Sequence, residues 1–151
     1  MTLQQLAGPV RINYLAAGVA ALVTLVCSAV YYIALGGVWA SLRGLDPGSA
    51  SPPGAGEIAG QYVRNLIVAL ALAYLLRWAG ATTVPAALRV AMVVWLGFQA
   101  MAIAGSVLHE HYPLGLYFLH TGDALMTTLI MAVILGNWRR TARSDPSVPS
   151  C

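Results

Sequence analysis

From Ile12 to Leu35 the chain carries no charged residue. A run of roughly 24 such residues makes about 36 Å of helix at 1.5 Å per residue, enough to cross a bilayer with some tilt. A signal peptide is the rival reading, and Val38-Trp39-Ala40 offers a small-residue pattern for cleavage. The apolar part of a signal peptide is only about 7–15 residues long, however, and this run exceeds it. The feature recurs. Apolar runs cover about 60–78, 85–108 and 116–138, giving four expected spans with the first at 12–35. Only 9% of the 151 residues are charged and 59% are hydrophobic. Soluble domains carry about 25% charged residues, so lipid must be the main solvent of this chain. The expected fold is an all-α integral membrane protein, with four transmembrane helices in an up-down bundle.

The rest of the chain is punctuation. Residues 1–11 form a short cytoplasmic lead. Residues 40–59, with Pro47, Pro52, Pro53, Gly54 and Gly56, read as a flexible loop. Residues 79–84 form a tight turn, after which Pro85 suits a first helical position. The stretch 139–151, with Pro146 and Pro149, reads as a disordered cytoplasmic tail. The domain proper is 12–138.

Charge sets an orientation. All the basic residues are Arg. Four spans place both termini on one side, together with Arg11, Arg77, Arg89, Arg139, Arg140 and Arg143. Arg43 and Arg64 fall on the other. This asymmetry predicts cytoplasmic termini by the positive-inside tendency. Tyr14, Trp78 and Trp138 would mark the inner interface; Tyr31, Tyr32, Trp39, Tyr62, Tyr112 and Tyr117 would mark the outer one. The net charge of +3 is spread between helix ends, which argues against a nucleic-acid patch. Cys27 and Cys151 have no paired spacing of the kind a disulfide framework or zinc site needs.

Small and polar residues recur every three or four positions on each span, and such spacing lines one helix face. On the first they are Asn13, Ala17, Ala20, Thr24, Cys27 and Tyr31. On the second they are Gln61, Arg64 and Asn65, on the third Gln99, Ala102, Ser106 and His109, and on the fourth His120, Asp123 and Thr127. Lipid is a poor partner for these groups, so the seam should face inward. Gln99 falls at the depth of Cys27, within expected reach of Thr24 or Ser28. Either it bonds helix to helix, or it lines a pocket or pathway. Arg64 and Asp123 are charges inside spans, and each is the economical partner for the other.

The outer turn between the third and fourth spans concentrates His109, Glu110 and His111, with His120 and Asp123 just beyond. His109, His111, His120 and Asp123 offer donors that suit zinc, copper or iron. No pair has the i, i+4 spacing of a strong metal motif, and a hydrated turn with interfacial His is the plain alternative. No nucleotide loop, nucleophile elbow or metalloprotease motif occurs, and no cofactor is expected.

Certain short stretches stand in a familiar order: Ile12-Asn13-Tyr14-Leu15, Tyr31-Tyr32, Trp39 to Leu45, Tyr74-Leu75-Leu76, Gly80-Ala81-Thr82-Thr83, Trp95-Leu96-Gly97-Phe98 and Ile134-Leu135-Gly136-Asn137-Trp138. Over about residues 12–138 the chain resembles the DUF1761 family of small bacterial membrane proteins. The resemblance implies a four-helix integral membrane protein and transfers no activity; the expected location is the inner (plasma) membrane. The family's fourth span carries an Asn, a Gly and then an aromatic–His pair. Here those positions read His120, Gly122, Asp123 and Ala124, so chemistry resting on that His does not carry over.

The leading expectation is a non-enzymatic structural, assembly or partner-binding module in the lipid bilayer. Gly97, Ala100 and Ala104 offer a close-packing face to a second copy or a membrane-protein partner. The alternatives are a carrier for a small solute or ion using the polar seam, and a metal or redox site at the outer turn. No inverted repeat is detectable, so a carrier would need a dimer.

Overall fold

A computed structural model describes residues 12–46 and 52–143, with side chains through Trp138. The expected lead at 1–11 and the tail beyond Arg143 lie outside the described residues. Among those described there is no strand. The helices are α1 (Tyr14–Ala34), α2 (Gly36–Leu42), α3 (Ala55–Trp78), α4 (Val84–Val94), α5 (Met101–Glu110) and α6 (Leu114–Arg143). A π-helical segment, Trp95–Ala100, joins α4 to α5 in one continuous rod, Val84–Glu110. Four helices are long and apolar enough to cross a membrane: Tyr14–Ala34, Ala55–Trp78, Val84–Glu110 and Leu114–Trp138.

Local chemistry sets the helix ends. Asn13 caps α1, its side chain accepting from the Ala16 N–H at 3.1 Å. Thr83 caps α4 by accepting from Ala86 N–H at 3.4 Å. The helix begins at Val84, so Pro85 is its second residue rather than its first. Gly80, with φ of +62°, ends α3 in the left-handed conformation that glycine adopts without strain.

Two expected boundaries are corrected. The stretch 40–59 is not all loop. Helix α2 runs to Leu42, and α3 starts at Ala55, where Glu57 accepts from the Gly54 N–H at 3.1 Å and seeds the first turn. The polar first turn of α3 carries no hydropathy signal, which is why the apolar run starts later than the helix. At the other end, α6 continues through Arg143, so residues 139–143 are helical rather than disordered.

Packing rests on small side chains. The buried face of α1 is Ala16, Ala17, Ala20, Ala21, Thr24 and Ser28. Lipid supplies no hydrophobic drive between helices, so close backbone approach and dispersion contacts hold such faces together. Helix α1 packs on α3 along one side and on α6 along the other, and α6 in turn packs on α4. The α1–α6 pair is antiparallel: Ser28 meets Asp123, and Tyr31 meets Leu119. Among the described residues α3 touches α4 but neither the π-segment nor α5. The two outer helices thus share a junction at Ala79–Thr83 and diverge from it.

The alanine-rich core fills that junction end with Ala69, Leu72, Ala73, Leu76, Ala81, Ala87, Ala91, Met131, Ala132 and Leu135. Leu22, Val26, Val30, Ile33, Ile67, Val93 and Phe98 are exposed, as lipid-facing residues should be.

Candidate functional site: a polar cleft between diverging helices

The divergence of α3 from the π-segment and α5 leaves a cleft of about 560 Å³. Helix α6 forms its back wall, and Tyr32 of α1 reaches it from the side. The walls bring together Gln61, Arg64 and Asn65 from α3; Gln99, Ala102, Ser106 and Glu110 from the third rod; and His120, Asp123, Thr127 and Thr128 from α6. Three of the four polar stripes therefore converge on one space. On α1 the stripe serves mainly as a packing face instead.

Asp123 accepts the Ser28 hydroxyl through Oδ1 at 2.8 Å. The expected pairing with Arg64 is not made: among the described residues no ion pair joins them, although both line the cleft. Geometry gives the reason. With α3 beginning at Ala55 and α6 at Leu114, each charge lies roughly 13 Å down its own helix. Helix α3 has only slight packing against α6, and the two side chains face the cleft from separate walls without an ion-pair contact.

His120 is held from both sides. Its Nδ1 lies 2.6 Å from the Tyr32 hydroxyl and its Nε2 lies 3.0 Å from the Tyr112 hydroxyl. A neutral imidazole donates through one nitrogen and accepts through the other, so the two tyrosines take opposite roles. The adjacent Tyr31 donates to the Leu119 carbonyl at 3.0 Å, pinning α1 to α6 one turn above Asp123.

Gln99 is presented by the π-segment, whose wider turn re-aims side chains relative to an α-helix. It does not reach Thr24 or Ser28. Its amide Nε2 lies 2.9 Å from the Thr128 hydroxyl, while Thr128 donates to the Ala124 carbonyl at 2.6 Å. Matching depth was not enough, because α6 stands between α1 and the third rod. Thr24 instead meets Asn65 at 3.4 Å. Trp95, at the start of the π-segment, donates to the Thr121 carbonyl at 3.0 Å.

His109 and His111 are exposed and do not line the cleft. His111 ends α5 in the left-handed conformation, with φ of 52°, turning the chain toward Pro113. Among the described residues no three His, Cys, Asp or Glu side chains gather closely enough to hold a metal ion. The outer turn therefore does not assemble the expected His109–His111–His120–Asp123 set. Both His120 nitrogens face tyrosine hydroxyls, and His109 and His111 lie outside the cleft.

Sequence reasoning missed Ser28, Tyr32, Tyr112 and Thr128 as members of the site. The tyrosines read as interfacial belt residues. Their placement at the same end as His120 was the available signal.

A family model described as "Protein of unknown function (DUF1761)" matches residues 15–136. The chain belongs to this family. Comparison with curated proteins finds no match, and neither does comparison with solved structures.

Proposed function

We propose that this member of the family is a non-enzymatic membrane module that holds a small molecule in the cleft between α3 and α5. The observation that carries the reading is the cleft: about 560 Å³, lined at once by Arg64, Asp123, His120 and Gln99. Small-molecule sites occupy about 300–1,000 Å³ and place a few polar groups among apolar walls.

Two features favour holding over other tasks. The polar lining ends at Met131, beyond which Ala87, Ala91, Ala132 and Leu135 close the core, so the cleft is blind at that end. That argues against a continuous path for a solute in this conformation. The Ser28 hydroxyl bonds Asp123 and His120 bonds two tyrosines, so both cleft groups are held in position by α1 and the outer turn.

The arginine asymmetry supports an up-down bundle in the inner membrane with both termini cytoplasmic. The cleft then opens at the outer face. Native mass spectrometry of protein extracted directly from membranes tests the binding reading. A retained small-molecule adduct is expected, and it should be lost from a folded Gln99→Leu, Asp123→Asn double variant. Folded wild-type protein with no adduct, or an adduct kept in full by the double variant, would sink the reading.

A further inference from the structure

The cleft is lined by a guanidinium, Arg64, and two carboxylates, Asp123 and Glu110, and among the described residues Arg64 and Asp123 face the same space without an ion-pair contact. Arg64 enters from α3, and among the described residues no ion pair engages it. Asp123 stands on the α6 wall and uses Oδ1 for Ser28, leaving its second oxygen available to an occupant. Charges this far into a membrane helix are costly unless compensated. An anion would compensate Arg64 and repel Asp123; a cation would do the reverse. A single occupant satisfies both only if it carries both signs.

The remaining walls describe the rest of that occupant. Beside the charges, Val68, Ala102 and Ile103 add apolar surface to the lining, while Gln99, Thr127 and Thr128 keep the deeper wall polar. The space between α3 and α5 is also unfilled by protein, so an apolar group can leave through it into lipid. We infer that the cleft binds an amphipathic zwitterion: an anionic oxygen group on Arg64, an ammonium on Asp123, and an apolar portion against Val68 and Ile103. This rests on the binding reading above and gives its ligand a chemical class. A phosphoethanolamine lipid headgroup and a free apolar amino acid share that chemistry.

The test uses the full chain in maltoside micelles and four probes. Two are zwitterions, dihexanoyl-phosphatidylethanolamine and leucine. The others are dihexanoyl-phosphatidic acid, which is anionic, and hexylammonium, which is cationic. Titration calorimetry should show one zwitterion binding at least tenfold more tightly than either single-sign probe, and which one binds identifies the source. Arg64→Gln and Asp123→Asn should each weaken it at least tenfold, while Arg64→Lys stays within about threefold of wild type. If Asp123→Asn does not fold, the contrast between Arg64→Gln and Arg64→Lys carries the same test on an exposed residue. Tighter binding of phosphatidic acid than of both zwitterions, zwitterion affinity unmoved by Arg64→Gln, or no zwitterion binding at all overturns the zwitterion assignment. The cleft reading is judged separately, by the mass-spectrometric adduct.

Discussion

Gly122 is where the α1–α6 contact can be tested most sharply. A Cβ added there would lie 2.8 Å from the Tyr31 hydroxyl oxygen and 3.8 Å from Cζ. Real carbon–oxygen contacts need about 0.6 Å more, so the tyrosine has to move. Moving it stretches the 3.0 Å bond to Leu119, and interhelical bonds of this kind contribute about 0.6 kcal/mol on average. Overpacking adds about 1–3 kcal/mol. Against this, Ala is favoured over Gly inside a helix by about 1 kcal/mol. Gly122→Ala should therefore destabilise by about 1–2 kcal/mol. Gly105→Ala, with nothing within 4 Å, should stabilise by about 1 kcal/mol. The decisive arm is Gly122→Ala in a Tyr31→Phe background. Removing the hydroxyl leaves only the 3.8 Å contact, so the substitution should change sign and stabilise. Thermal unfolding in maltoside reads all four variants. If Gly122→Ala proves as stabilising as Gly105→Ala, or if its penalty persists undiminished without the Tyr31 hydroxyl, the packing described for α1 and α6 is wrong.

Three further outcomes follow from the same geometry. Gln99→Leu should cost no more than about 1–2 kcal/mol in thermal stability, because Thr128 keeps its bond to the Ala124 carbonyl; a larger loss would give Gln99 a structural role beyond this contact. His111→Gly should raise stability by about 1 kcal/mol by relieving a left-handed non-glycine residue, and a loss in the same melting assay would mean the imidazole makes a stabilising contact. With Cys27 and Cys151 replaced, a cysteine at Leu45 should react with an impermeant thiol reagent added outside and one at Ser150 should not; the reverse pattern would invert the proposed orientation.

The spans were legible because hydropathy is local. An uncharged run of helical length has few fates, and Pro85 marked the start of the third span to within one residue. The polar beginning of α3 was not legible by that measure, since Ala55–Ala59 look like loop and only Glu57 signals the first turn. The π-segment left no mark in the periodicity. An added residue per turn depends on what the neighbouring helix accepts, and periodicity does not report that. The stripe on each span showed which face turned inward but not which helix it would meet. Gln99 and Ser28 have compatible depths, yet α6 separates them, and each bonds to α6 instead. Arg64 and Asp123 shared an end of the membrane, yet the cleft keeps them apart.

The cleft itself follows from a gradient of side-chain size. Toward the Ala79–Thr83 turn the facing residues are Ala69, Ala73, Ala81, Ala87, Ala91 and Ala132, so backbones approach and the core closes. Toward the other end they are Tyr32, Gln61, Arg64, Gln99, Tyr112 and His120, too large and too polar to let α3 and α5 meet. The polar groups do not collapse onto one another because α1 and α6 already hold them: Ser28 on Asp123, Tyr32 and Tyr112 on His120, Thr128 on Gln99. These bonds fix the groups in position: both His120 nitrogens are taken, while Asp123 keeps its second oxygen toward the cleft. Arg64 stands outside this web of hydrogen bonds, on α3, which among the described residues has no contact across the gap with α5. A bundle selected for stability alone would fill that gap with alanine and leucine, as it does at its other end. Keeping a guanidinium and a carboxylate on opposite walls makes sense when something else comes between them.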